Sequence, residues 1–291
     1  MAITPFQRAI CRLIAANRIE HGESYVAGGV ALNLLTEARR ISRGMRRSAA
    51  ANGRPLHRPL GRLQGRPNYL FYDTESALDA TWAADRALLE GTGFEVSVVR
   101  ERAGFVEAIV SRDEDVVVMQ WVRDSAYRFF PLVAHEELGL VLHPLDLATN
   151  KVLAMVGRLE VRDWVDLMSC HERVQPLGYL AWAACGKDPG FTPAAILEQA
   201  GRSGRYSAAE VAELSFDGPP PDAAALSARW RRMLAEAKEI VANLPGEHGG
   251  KCVLLAPVCA PRVTTSTPSR RGRGSSGQDR PDVRGRDAVP D

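Results

Sequence analysis

The stretch Tyr25-Val-Ala-Gly-Gly-Val-Ala-Leu32 joins two short apolar runs through a pair of glycines. It predicts a strand, a tight turn at Gly28 and Gly29, and a helix that begins near Val30. Glycine lets the backbone come close to a phosphate, and the free N–H groups of a helix N-terminus point towards such an anion. A glycine pair also suits a plain turn, and no Gly-x-Gly-x-x-Gly motif follows, which excludes a dinucleotide-binding fingerprint.

Along the rest of the chain, the spacing of apolar residues is first that of alternating helices and strands and later that of helices alone. A helix is predicted before it, and a strand, a helix and three strands with the turns of an antiparallel meander after it. From Leu145 onward the pattern is helical throughout. We therefore predict an α+β domain over residues 1–143, a helical domain over 144–255 and a tail over 256–291. The predicted helices are 6–19, 30–35, 77–89, 145–156, 161–170, 178–184, 193–200, 208–214 and 223–244, and the predicted strands are 25–27, 69–72, 94–99, 105–110 and 116–122.

The composition is that of an ordinary globular protein, with 45% hydrophobic and 25% charged residues among 291. No run of about 18 apolar residues exists, which excludes a membrane-spanning helix. The N-terminal residues lack the pattern of a signal peptide. The five cysteines are scattered, without a Cys-x-x-Cys pair, so a disulfide framework and structural zinc are not expected. These features predict a cytoplasmic protein.

Two segments are rich in arginine. Residues 39–68 carry nine arginines and no acidic residue, and residues 257–291 carry seven arginines and four aspartates. Arginine strips can bind phosphate backbones. However, segments rich in Arg, Gly, Pro and Ser lack the apolar residues needed to form a core. We predict disorder over 44–68 and 256–291, with RNA binding as the alternative.

A second group of charged residues lies on two successive predicted helices. Lys151 is the first lysine of a chain that otherwise uses arginine, and lysine is a compact phosphate ligand. Arg158 and Arg162 are spaced i,i+4, and Asp163 and Asp166 are spaced i,i+3. This spacing also suits an ion-paired helix surface, so both interpretations stay open from the residues alone.

Taken together, these residues resemble the AbiEii/AbiGii nucleotidyltransferase toxin family. The resemblance implies a minimal polymerase-β-like nucleotidyltransferase fold with a small mixed sheet and a helical C-terminal domain. It implies Mg²⁺-dependent transfer of a nucleotide from an NTP to an acceptor such as tRNA, and a part in a toxin–antitoxin or phage-defence pair with a cognate antitoxin protein. The resemblance covers roughly residues 5–255. The residues that carry it are 25–32, Arg40-Ile-Ser42, Leu70-Phe-Tyr-Asp73, Phe129-Phe130-Pro131, 143–151, Arg158 and Arg162-Asp-Trp-Val-Asp166.

The resemblance also implies roles for individual residues. The predicted catalytic residues are Lys151 and Asp163. The predicted nucleotide-binding residues are Gly28, Gly29, Arg40, Ser42 and Arg158.

One part of the family pattern is missing. Such a site holds Mg²⁺ on two carboxylates spaced Asp-x-Asp on one strand. Here Pro67, Asn68 and Tyr69 stand directly before Leu70, where that pair belongs, and residues 44–69 contain no Asp or Glu. A compensated frameshift or a genuine insertion would produce this interruption. We expect no metal ligands at this position and impaired transfer, with a non-catalytic NTP-, RNA- or antitoxin-binding homologue as the alternative.

Overall fold

A computed structural model of the chain describes residues 3–21, 24–37, 40, 68–72, 75–123, 127–202 and 206–254. The strands within these ranges are β1 Ser24–Ala27, β2 Asn68–Tyr72, β3 Glu95–Arg102, β4 Phe105–Arg112, β5 Asp115–Arg123, β6 Val133–His135 and β7 Gly139–Val141. The helices are α1 Pro5–His21, α2 Gly28–Leu35, α3 Glu75–Gly91, α4 Pro144–Arg158, α5 Val161–Arg173, α6 Leu177–Ala184, α7 Pro193–Arg202, α8 Ala208–Ala212 and α9 Ala223–Asn243.

The seven strands form one mixed sheet in the order β3-β4-β5-β2-β1-β7-β6. β3, β4 and β5 are an antiparallel meander, as the turn pattern predicted. β2 is parallel to β5 and antiparallel to β1, and β1 is parallel to β7. In this register Tyr69 of β2 lies opposite both Ala27 of β1 and Gln120 of β5, so the position where the family pattern places a carboxylate lies beside the glycine turn.

Alternation along β4 and β5 buries one face of the meander against α3. Trp121 of β5 lies with its ring 4.5 Å from that of Trp82 on α3, and its indole N–H donates to Asp85 at 3.1 Å. Because successive strand residues point to opposite faces, the buried set follows a period of two. Its members on β4 and β5 are Val106, Ala108, Val110, Val117, Met119 and Trp121.

The helical part begins at α4, whose start is defined by His143 and Pro144. The Nδ1 atom of His143 accepts the N–H of Leu145 at 3.2 Å, and proline suits the first helical position because its missing N–H has no intrahelical partner. Leu159 ends α4 in the left-handed conformation, at φ +51°. α5 starts two residues later, which brings the end of α4 close to the first turn of α5.

The remaining helices pack on this pair, with α9 as the longest. Asp222 caps α9 by accepting the N–H of Ala225 at 2.7 Å. α6 lies closely against α9 at Gly178, where a Cβ atom would come within 2.7 Å of Ile240. Trp164 of α5 and Trp230 of α9 are fully buried in this core.

The predicted α+β class, with a small mixed sheet and a helical C-terminal part, is confirmed. The strands β6 and β7 were not predicted, because three residues are too few to show a period.

No helix in the described ranges is long and apolar enough to cross a membrane. All described residues belong to one unit, Met1–Val258, and the boundary at residue 143 stays a prediction. Apart from Asn68, which begins β2, the segments 44–68 and 256–291 lie outside the described residues.

Candidate functional site

A cavity of about 410 Å³ lies where β1 passes into α2 and α4 runs alongside. Tyr25 and Gly28 line it from the β1–α2 turn, and Lys151 and Arg158 line it from α4. The loop after β5 contributes Tyr127 and Arg128, and the turn after α6 contributes Lys187 and Asp188. This volume is in the range of small-molecule sites, about 300–1,000 Å³.

Gly28 is the point at which the backbone itself faces the cavity. Its φ is +71°, in the left-handed region that costs other residues about 1–2 kcal/mol. The preceding residue, Ala27, provides no side-chain cap for α2. The positive end of the α2 dipole therefore has no side-chain cap, and it begins at Gly28, which lines the cavity.

At the cavity wall, Lys151 lies at the centre of a buried ion-pair network. Its Nζ lies 3.0 Å from Asp163 Oδ1 and 3.0 Å from Asp166 Oδ2. Arg158 binds Asp163 through Nε at 2.5 Å and Nη2 at 2.8 Å. Arg40 binds Asp166 in the same two-pronged way, at 2.5 and 2.7 Å. Lys151, Arg158 and Arg40 thus share two carboxylates, and Arg162 Nε also lies 3.7 Å from Asp163 Oδ1.

The backbone holds each member of the network in place. Lys151 and Arg158 lie on α4, and Asp163 lies in the first turn of α5, where the helix dipole favours a carboxylate. The carbonyl of Arg40 accepts the side-chain N–H of Asn33 at 2.7 Å, and Arg40 also forms a β-bridge with Phe216.

The network keeps its members charged despite their burial. Desolvation by itself would lower the pKa of Lys151, but the charges of Asp166 and Asp163 outweigh it and raise that pKa above the ordinary lysine value. Burial likewise would raise the pKa of Asp163, but hydrogen bonds and charge from Arg158 and Lys151 lower it below the ordinary aspartate value. Lys151 is therefore a permanent cation and Asp163 a permanent anion near neutral pH.

A second buried pair, Asp146 with Lys187, holds the other side of the cavity. The ammonium of Lys187 lies 2.7 Å from Asp146 Oδ1 and donates to Asn150 Oδ1 at 2.8 Å. Asp146 also accepts the N–H groups of Phe129 and Phe130, at 2.9 and 3.1 Å. This pair ties the loop that carries Tyr127 and Arg128 to α4. Sequence reasoning missed it, and the only available signal was that Lys187 is the next lysine after Lys151.

The structure brings most of the predicted site residues together. Gly28, Lys151 and Arg158 line one cavity, and Asp163 lies directly behind the last two. Arg40 joins them through Asp166 and does not line the cavity. Gly29 is the next residue of α2 and does not line it either. Ser42 and Pro67 lie outside the described residues, and so does Asp124, the acidic residue directly after β5. The ion pairing predicted as an alternative is present, but its centre is buried rather than on a solvated surface.

The donor set beside the glycine turn does not suit a divalent metal. Tyr69 and Gln120 occupy the register positions next to Ala27, and neither is a carboxylate. The amide of Gln120 donates to Glu107 on β4. Within the described part of the chain, no group of three or more His, Cys, Asp or Glu residues is placed to hold a metal ion.

The chain matches no protein-family model and no curated protein. Its structure is similar to that of a presumed nucleotidyltransferase from H. pylori, with a TM-score of 0.48 and 13% identity over 82% of this chain and 94% of the other. It is also similar to the crystal structure of JHP933 from Helicobacter pylori, with a TM-score of 0.47 and 13% identity over 81% and 90% of the two chains.

Proposed function

We propose that the chain is an AbiEii-type nucleotidyltransferase homologue that binds an NTP in the cavity beside Gly28 and transfers its nucleotide poorly or not at all. The observation that carries the proposal is the charge of the cavity. Among the described residues that line it, four are cations (Arg128, Lys151, Arg158 and Lys187) and one, Asp188, is an acid. Lys151, Arg158 and Lys187 are paired with buried carboxylates that do not line the cavity. The lining itself is therefore mainly cationic, which favours an anionic ligand.

The arrangement gives each part of an NTP a matching surface. Phosphates fit between the uncapped start of α2 at Gly28 and the cations of α4, Lys151 and Arg158. Tyr127 is 52% exposed and meets Phe129 edge-on with ring centroids 5.5 Å apart. A base can stack on such an exposed aromatic ring, which contributes about 1–3 kcal/mol in nucleic-acid sites.

The same geometry argues against efficient transfer. In this class of reaction, metal ions clamp the attacking and leaving oxygens. The sequence positions expected to hold them, directly before Leu70, carry Pro67, Asn68 and Tyr69. Gln120 lies opposite Tyr69 on β5, and none of these residues has an anionic oxygen ligand. The described part of the chain therefore has groups for binding the nucleotide and no set of metal ligands for transferring it.

Label transfer tests both halves of the proposal. The native chain is incubated with Mg²⁺, total tRNA and each of four α-labelled NTPs, beside a variant in which residues 44–69 are replaced by the tripeptide Asp-Ile-Asp. We expect transfer by the repaired variant and little or none by the native chain. Efficient transfer by the native chain would contradict the impairment, because the reaction would then use other ligands.

Binding is measured separately by calorimetric titration of the native chain with each NTP. Arg128→Gln removes one cavity cation at the loop after β5, and we expect weaker binding. Arg202→Gln, which changes an exposed arginine of α7, is the matched control and should bind as the native chain does. Equal binding by both variants would argue against this cavity as the site.

The toxin role and the antitoxin partner belong to the same proposal. If the family role applies, induction of the repaired variant in bacteria should arrest growth, and induction of the native chain should not. Growth arrest of equal strength by both would separate toxicity from nucleotide transfer.

A further inference from the structure

We propose that the cavity binds the nucleoside triphosphate without a divalent cation, because the protein's own cations take the place of the metal. This inference rests on the proposed function and concerns the ionic form of its ligand. Three observations support it. The carboxylate in the sheet row of the glycine turn is distant, the buried carboxylates near the cavity are bound by protein groups, and cations line the cavity from separate parts of the fold.

Among the described strands, the one carboxylate in the row of the glycine turn lies far from that turn. Across this row the residues are Ala27 on β1, Tyr69 on β2, Gln120 on β5 and Glu107 on β4. Glu107 is thus three strands away from Ala27, or about 14 Å at the usual spacing between strands. A metal bound to phosphates at the start of α2 would need ligands within about 2.1 Å, so Glu107 cannot provide one.

The buried carboxylates near the cavity are already engaged by protein groups. Asp163 is bound by Lys151 and Arg158, and Asp166 by Lys151 and Arg40. A divalent ion would have to displace these cations from buried positions and leave them unpaired, which is costly in a low-dielectric environment.

Two further carboxylates are engaged on the other side of the cavity. Asp146 is bound by Lys187 and by two backbone N–H groups. Asp188 accepts the N–H of Gly190 through Oδ1 at 2.9 Å. A single carboxylate in the turn after α6 is a poor basis for a magnesium site without partners from the sheet.

The cavity's cations come from separate parts of the fold. Arg128 follows β5, Lys151 and Arg158 lie on α4, and Lys187 follows α6. They line the space that a triphosphate would occupy, and buried ion pairs hold Lys151, Arg158 and Lys187 in place. Mg²⁺ cancels two charges of a triphosphate. A cavity whose lining is mainly cationic, and which has no metal ligands among the described residues, should therefore prefer the metal-free form.

The test compares NTP binding in excess EDTA and in excess MgCl₂ at matched ionic strength. The probes are ATP, GTP, CTP and UTP, titrated into the full native chain by calorimetry. We expect the best-bound nucleotide to bind about fivefold more tightly in EDTA. The two charges of Mg²⁺ would weaken the attraction between the triphosphate and one cation about 8 Å away in a solvated cavity by about this factor.

The repaired variant with Asp-Ile-Asp in place of residues 44–69 is the internal comparison. It should bind more tightly in MgCl₂ than in EDTA, because the metal then has ligands on β2. If that variant does not fold, the comparison within the native chain still decides.

The outcomes separate the inference from the function on which it rests. Native binding that is equal in the two conditions or tighter in MgCl₂ would overturn the inference and leave the proposed nucleotide site standing. No binding of any NTP under either condition would overturn the proposed function and the inference with it.

Discussion

Replacing Asp166 by asparagine removes the carboxylate that Arg40 and Lys151 share behind the cavity. Its side chain is fully buried, and that of Arg40 is only 7% exposed. Asparagine has nearly the same shape, so the change removes charge and leaves packing almost intact. The two cations then lose their shared counter-charge, and only Asp163 remains for Lys151.

Breaking a buried ion pair from one side costs about 3–5 kcal/mol, because the remaining charge stays buried without compensation. For a folded unit of this size each kcal/mol corresponds to about 2–4 °C in the melting temperature. We therefore expect Asp166→Asn to lower the free energy of unfolding by about 3–5 kcal/mol and the Tm by about 6–20 °C.

The assay is urea denaturation followed by circular dichroism, with thermal melting beside it. The double change Arg40→Met with Asp166→Leu removes both charges and should cost less than the sum of the two single changes. Glu198→Gln is the control, since it breaks an exposed pair with Arg202 and should change stability by less than about 0.5 kcal/mol. An Asp166→Asn variant within 1 kcal/mol of the native chain would refute the buried network.

Three further predictions concern other parts of the fold. Trp121→Ala should destabilise the protein by about 3–5 kcal/mol in urea denaturation, because this buried ring packs on Trp82 and donates to Asp85, and a cost below 2 kcal/mol would contradict that packing. The lowered native pKa of Asp163 contributes stability above the unfolded aspartate value near pH 3.9, and this contribution should fade as the pH falls through the native pKa. Stability measured from pH 7 to pH 2 should show that decline in the native chain and a shallower one in Asp163→Asn, and parallel curves would count against it. Gly178→Ala should cost about 1–3 kcal/mol, since the new Cβ would meet Ile240 and the carbonyl of Ala237 at 2.7 and 2.8 Å, whereas Gly157→Ala in α4 has open space and should be neutral or slightly stabilising, and the reverse order would contradict the packing of α6 on α9.

Most elements of the fold follow from local patterns in the sequence. The alternation of Val106, Ala108 and Val110 predicts β4, and the spacing of apolar residues predicts each long helix. The parallel pairing of β2 with β5 does not follow from either strand, because it depends on where the intervening chain returns. β6 and β7 are stabilised by their neighbours in the sheet rather than by any pattern of their own.

The candidate site could be predicted only in part for a related reason. Lys151 is conspicuous as a lysine among arginines, and Asp163 and Asp166 share one side of α5 by their spacing. The same spacing would suit a solvated helix, and only the fold shows that these residues are buried. The partner of Asp166 is Arg40, 126 residues away, and Lys187 lies 41 residues from Asp146, so no local signal connects them.

The central position of β2 bears on how the sheet assembles and how it can change. β2 joins the meander β3–β4–β5 to the group β1–β7–β6, and neither half contacts the other through another strand pair in the sheet order. The meander is built from sequence neighbours and can form early, whereas β2 must align with β1 and β5 at once. A shift of one residue within Asn68–Tyr72 would turn every side chain to the opposite face. Lengthening the chain before Asn68 costs only about 0.6 kcal/mol for each doubling of the loop, so the fold tolerates growth at this point far better than a change of register inside the strand.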